Sequence, residues 1–207
     1  MPGTAVTPNP HASAIQKAVA DLEALTSSTA GFTTTASETV FVKESPTTSL
    51  PIVKSHFKIQ KPISLDQLLS TFQDKNARKS WDSKFDDLTV IQEYENNERL
   101  VHVLQTGTWP VVSPRDTSVI IKTIKESETK GTIVITSVED ERIPETKGRV
   151  RAHAHVVAWV FEKESAGWSL IYVAHMDPKL SGILSSAVVQ RAPIVAQEFV
   201  AYIEKAF

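Results

Sequence analysis

Ile143-Pro144-Glu145-Thr146-Lys147-Gly148-Arg149-Val150-Arg151-Ala152 is the stretch on which the reading of this chain turns, taken together with Ser113-Pro114-Arg115-Asp116 upstream of it. Between the two lies a hairpin: Thr117–Lys125 and Thr132–Val138 are rich in Val, Ile and Thr, and Gly131 sits at the turn. Downstream, Arg149–Phe161 and Trp168–His175 read as two further strands around Gly167, and a long helix follows from Ser185 to Phe207. In that helix Leu184, Val188, Val195, Phe199 and Ile203, with Ala192 and Ala196, form an apolar stripe, while Gln190, Arg191, Gln197, Glu198, Glu204 and Lys205 face water.

Working towards the N-terminus, Arg99–Thr106 and Leu88–Tyr94 are strands around Asn96-Asn97. A short helix carries Ala77, Trp81 and Asp82. Ser64–Asp74 is a helix with Ser64 and Gln67 spaced as a capping box and Leu65, Leu68, Leu69 and Phe72 on one side. Ile52–Gln60 and Thr39–Lys43 are strands, and Ile15, Val19, Leu22 and Leu25 recur at helical spacing in Ala12–Leu25. The sum is an α+β chain. An antiparallel sheet of this length has one large apolar face to hide, and the final helix is its natural cover.

Composition narrows the function classes. A chain of 207 residues with 41% hydrophobic content and no dividing linker is expected to form one domain over residues 11–207, after a flexible tail at 1–10. A net charge of −2 gives no general attraction to nucleic acid or anionic bilayers. Without cysteine there are no disulfides, thiolate metal sites or thiol catalysis, which fits a reducing compartment. The longest apolar run, Val156–Phe161, is far shorter than the roughly 20 residues of a membrane-spanning helix. Met1–Pro10 has no secretory signal character, so a soluble cytoplasmic protein is expected. No phosphate-binding loop, nucleophile elbow or basic–aromatic patch is visible.

Two features leave alternatives open. Alternation along Arg149–Phe161 puts Val150, Ala152, Ala154, Val156, Ala158 and Val160 on one face, and Arg149, Arg151, His153 and His155 on the other. The Val/Ala face is shallow: turned inwards, it either packs tightly under the last helix or leaves space. His153 and His155 read best as a solvated outer surface; their spacing suits a metal clamp, but no third ligand is evident. The connection Gly107–Pro114 is too apolar for a routine loop, and its prolines keep it from pairing as a central strand. Its Trp109, Val111 and Val112 either plug the core or reach something apolar outside. Pro193 removes one backbone donor from the last helix and should bend or loosen its first half.

Four short motifs stand in a consistent order: Trp81-Asp82, Pro114-Arg115-Asp116, the run Pro144, Glu145, Lys147, Gly148, Val150, Arg151 and Ala152, and Asp177 followed by Gly182. In these the chain resembles the steroidogenic-acute-regulatory-related lipid-transfer (START) domain family, over about residues 30–207. It departs at Thr117, where an aromatic residue is common, and at Gly182-Ile183-Leu184-Ser185, where a proline is usual. The resemblance implies a helix-grip fold, a curved sheet wrapped on the C-terminal helix around an apolar cavity for one lipid. It implies transfer between membranes without catalysis, cofactor or metal. Trp109, Val111 and Val112 become the gate, and the 107–114 loop and last helix the transient membrane contact of a cytoplasmic monomer.

Sterol is the favoured ligand, with phosphatidylcholine-like phospholipid or a lipid sensor acting through a protein partner as alternatives, and a polyketide cyclase-like enzyme behind them. The charged pair of some sterol-binding members falls at His102 and Ile121, so His102 and Tyr172 are the expected polar contacts. Leu104, Ala152, Ala154 and Val156 would line the cavity from the sheet. Leu184, Val188, Ala192, Val195 and Phe199 would line it from the helix.

Overall fold

The computed structural model describes residues 8–107, 112–179 and 185–207, with side chains of the last segment described from residue 189. Helix α1 (Ala12–Thr26) precedes three strands, β1 (Thr33–Thr34), β2 (Val40–Lys43) and β3 (Ile52–Ile59). Helices α2 (Leu65–Gln73) and α3 (Lys75–Trp81) follow. The capping box of α2 is present: Gln67 N–H donates to Ser64 Oγ at 3.2 Å and Ser64 N–H to Gln67 Oε1 at 3.0 Å. Asp74 caps α3 by accepting from Ala77 N–H at 2.6 Å, which stops α2 and starts α3 at one residue.

The remaining strands are β4 (Phe85–Tyr94), β5 (Glu98–Gln105), β6 (Arg115–Ser127), β7 (Lys130–Ser137), β8 (Val150–Arg151), β9 (His153–Glu164) and β10 (Gly167–Asp177), closed by α4 (Ser185–Ala206). Among the described residues they form one sheet in the order β1-β2-β3-β10-β9-β7-β6-β5-β4. Every pairing is antiparallel except that of the short β8, which runs parallel to β6. The strand expected to run unbroken from Arg149 is therefore interrupted at Ala152. Its first residues pair elsewhere, with Val150 N–H donating to Pro114 O at 3.0 Å and Ala152 N–H to Asp116 O at 2.9 Å.

Each face of the sheet has its own apolar layer. One face packs on α2, α3 and α4 through Val101, Val103, Val119, Ile121, Ile133, Trp159, Phe161, Leu170 and Tyr172. The other packs on α1, where Ile15, Ala18, Leu22 and Leu25 meet Leu100, Ile120, Val134, Val156, Ala158 and Val173. Each fully buried side chain of this size contributes about 1.5–3 kcal/mol through burial, so both layers matter to folding.

Simple alternation along β9 fails at one point. His175 on β10 pairs with Val156, and Met176 pairs with Ala154, which leaves His155 as the extra residue of a β-bulge. The bulge reverses parity. His153 and His155 lie on the α1 side with Val156 and Ala158, and the pleat places Ala154 on the opposite side, with Trp159 and Phe161. The shallow Val/Ala face read from the sequence is thus split between two layers. Its Val156–Ala158 part packs tightly under α1, not under α4.

Candidate functional site

The layer between sheet and α4 is built on Trp159. Its ring contacts Tyr172 at 4.9 Å, Phe72 at 5.2 Å, Phe199 at 5.3 Å and Trp81 at 6.0 Å between centroids. Tilted and edge-on geometries dominate, the arrangement aromatic quadrupoles favour. On α4, Ala196, Phe199 and Ile203 are fully buried, whereas Ala192 and Val195 nearer its start are half-buried. The C-terminal half of α4 is therefore clamped by packed rings, while nearer its start Pro193 is buried between half-buried neighbours.

Polar groups enter this aromatic layer from α3. Residues 78, 81 and 82 share one face of that short helix, so Arg78 and Asp82 point inwards beside Trp81. Arg78 Nε donates to Asp82 Oδ2 at 3.2 Å, and both side chains are at least 90% buried. The guanidinium carbon lies 4.9 Å from the Phe85 ring, 5.1 Å from Phe72 and 5.6 Å from Trp81. Among the described residues, the terminal nitrogens of Arg78 and the hydroxyl of Tyr172 have no hydrogen-bond partner. Burial pushes the Tyr172 phenol above its ordinary range, and the charge of Asp82 adds to the effect. An ion pair, a phenol and four aromatic rings thus converge on the α4 side of the sheet. Such a set orients a ligand that has an apolar body and a charged or hydroxylated end.

Of the residues expected to line a cavity, Ile121, Tyr172 and Phe199 belong to this layer, and Ala192 and Val195 pack against it. Ala152 and Ala154 are buried, 1% and 2% exposed, and the pleat turns Ala154 towards α4. Val112 is half-buried at the base of its loop, where Gly107 faces it. Trp109, Val111 and Leu184 lie outside the described residues, as does the side chain of Val188. Two cavities lined by described residues lie elsewhere. One, of about 570 Å3, is at the surface by Gln60, Lys61 and Lys163; the other, of about 200 Å3, is beneath α1.

Three expectations are corrected. His102, Leu104 and Val156 face away from α4. Register with β6 puts His102 opposite Ser118 and Leu104 opposite Asp116, on the side of Leu100 and Ile120, and the bulge carries Val156 to α1. His102 Nε2 lies 3.1 Å from Asp116 Oδ2 and 3.4 Å from Thr146 Oγ1, so its polar partners are structural. Asp116 is the centre of that network: Arg151 donates to it at 2.8 and 3.1 Å and Thr146 Oγ1 at 3.0 Å. Burial opposes its charge, but the bonds from Arg151, His102 and Thr146 prevail and hold its carboxyl down at about 2. Arg115 donates to Pro178 O at 3.0 Å, and Arg149 to Gln105 O at 2.8 Å and to Asp86. These motif charges tie strand ends together. His153 is exposed, as a solvated outer surface would have it, but His155 is half-buried, and with the buried His175 they line the cavity beneath α1.

Sequence reasoning missed Arg78. Its signal was the i, i+4 spacing to Asp82 next to Trp81, which resembles an ordinary surface ion pair until the helix is docked.

A family model described as START domain matches residues 33–206. No curated protein matches the sequence. Among solved structures, human STARD10 is similar with a TM-score of 0.79 at 17% identity, over 99% of this chain and 83% of that one. Human StAR-related lipid transfer protein 5 gives 0.78 at 19% identity, over 95% and 97%. A STAR-related lipid transfer protein fragment from Xanthomonas axonopodis gives 0.68 at 19% identity, over 84% and 98%. At these identities the likeness is one of fold: a curved antiparallel sheet gripping a C-terminal helix.

Proposed function

Because the chain belongs to the START domain family, we propose that it encloses one lipid between the sheet and α4 and carries it between membranes. The observation that carries this reading is the unpartnered end of Arg78, buried against Asp82 and facing the Trp81–Trp159–Tyr172 rings. The terminal nitrogens of Arg78 keep some accessible surface and have no protein partner among the described residues, and a phosphodiester oxygen would complete their hydrogen bonds with matching geometry. Aromatic faces nearby suit a choline-type cation. The charged pair therefore favours a phospholipid over a sterol, whose single hydroxyl would leave the guanidinium unsatisfied. His102, the polar contact expected for a sterol, lies in the Asp116 network instead.

The proposed cycle involves no bond chemistry. Burying several hundred Å2 of acyl chain is worth on the order of 10 kcal/mol, so escape of a naked lipid into water is slow. Exchange takes place where the start of α4 touches a bilayer and the lipid moves between two apolar surroundings. No described helix is long and apolar enough to cross a membrane, so this contact is peripheral.

Mass spectrometry of lipid carried by the purified protein, with vesicle-to-vesicle transfer of labelled phosphatidylcholine and sterol, tests the proposal. Bound phospholipid and its transfer are expected. Sterol alone would overturn the headgroup assignment, and neither bound lipid nor transfer would overturn the function.

A further inference from the structure

The face of the sheet turned away from the proposed lipid carries a second cluster of chemistry. His153, His155 and His175 stand in a row that runs from the exposed His153 through the half-buried His155 to the buried His175 beneath α1, with ring centroids 4.6 Å apart for His153–His155 and 4.4 Å for the stacked His155–His175 pair. The bulge at His155 creates the row: it sets His155 beside His175 on a strand pair where strict alternation would have turned it inwards. The rings line a cleft of about 200 Å3 with Ala14, Lys17, Ala18 and Asp21 of α1 and with Thr47 and Thr136. Among the described residues, no group of three or more His, Cys, Asp or Glu side chains has the arrangement to hold a metal ion. The one side-chain hydrogen bond to the row among the described residues is between Thr48 Oγ1 and His175 Nε2, at 3.0 Å.

We propose that this row is a proton-operated latch: neutral rings keep α1 seated on the outer face of the sheet, and proton uptake releases the middle of the helix. The argument is one of charge at short range. Rings this close tolerate at most one proton without mutual repulsion. Among the described residues none of the three is ion-paired. The facing carboxylates offset this only in part, since each is already engaged: Lys17 and Asp21 of α1 pair with each other at 2.5 Å, and Asp177 at the end of β10 pairs with Lys179. Glu139, beyond β7, acts only at a distance on His153.

The titration behaviour agrees in sign. Burial is the main cause that holds each ring below the ordinary 6.5, followed by Lys179 for His153, His153 for His155 and His155 for His175, which falls to about 4. Release returns the rings to the ordinary value, so the open form binds more protons between pH 6.5 and about 4. The latch is thus closed above pH 6.5 and weakens as pH falls through that window. At the start of α1, His11 bonds Asp140 at 2.8 Å, which anchors that end of the helix.

Backbone hydrogen exchange at pH 7 and pH 5, corrected for intrinsic rates, tests the latch on the full chain without added ligand. Protection of the amides of α1 residues 14–24 is expected to fall about tenfold at pH 5, with β6 and β7 unchanged. In His155→Gln, which keeps a polar planar group but cannot take the proton, the fall should shrink by at least half. Equal α1 protection at both pH values, an equal fall in β6 and β7, or an undiminished fall in the variant would overturn the proposal. If His155→Gln does not fold, NMR titration of the three imidazoles in the unmodified protein decides: independent titration near 6.5 would overturn the latch, and coupled titration below it supports it. Lipid binding enters none of these readouts.

Discussion

Asp116 has no exposed surface and is nevertheless charged, so its partners decide its effect on stability. Because its folded pKa of about 2 lies below the ordinary 3.8, its contribution is complete above pH 3.8 and disappears as pH falls towards 2. Asp116→Asn keeps the shape but leaves Arg151 facing a neutral amide; a loss of about 2–3 kcal/mol is expected in urea unfolding at pH 7. The variant should also lack the acid-induced loss of about 2 kcal/mol that the natural protein shows between pH 4 and pH 2. Gly107 is constrained in a different way. A Cβ there would stand 2.2 Å from Val112 O, so the two ends of the loop approach as closely as they do because no side chain intervenes. Gly107→Ala should cost about 1–3 kcal/mol by calorimetry, as overpacking does. At this scale the sequence was partly legible. Pro114-Arg115-Asp116 and Val150-Arg151-Ala152 were marked as a unit, and the unit is a hydrogen-bonded one. What could not be read was that His102 joins it, because that contact depends on strand register.

Among the elements, the strands and helices followed from periodicity, whereas the faces they present did not. Val and Ala continue along β9 through the bulge at His155, and neither Gly nor Pro marks it, so alternation counted across it assigns Val156 to the wrong layer. The break between β8 and β9 is hidden in the same way, since a two-residue parallel pairing leaves no trace in composition. In α4, by contrast, Pro193 announces itself. The rings of Phe199 and Trp159 fasten the helix after it, and the turn before it lacks one backbone donor. Pro193→Ala restores that donor. An increase in stability of about 1–3 kcal/mol is expected, together with several-fold slower lipid exchange between vesicles at unchanged final loading. Faster exchange in the more stable variant would remove the first half of α4 from the transfer path.

For the molecule as a whole, the sheet separates two layers with different chemistry, and the proposed function places the lipid in the α4 layer beside Arg78. The net charge of −2 supplies no long-range pull towards anionic bilayers, so under the proposed function selectivity is assigned to the interior, where a charged headgroup either meets the guanidinium or does not. Lys at this position keeps the cation and its pairing with Asp82 but loses the planar fork that matches a phosphate, and it stacks less well on Phe72 and Phe85. Arg78→Lys should therefore lower phosphatidylcholine transfer at least tenfold, about 1.4 kcal/mol of differential binding, while urea unfolding shows a stability change below about 1 kcal/mol. Comparing transfer of labelled phosphatidylcholine and sterol by the two proteins separates the readings: equal losses for both lipids would mean that Arg78 shapes the layer without contacting a headgroup.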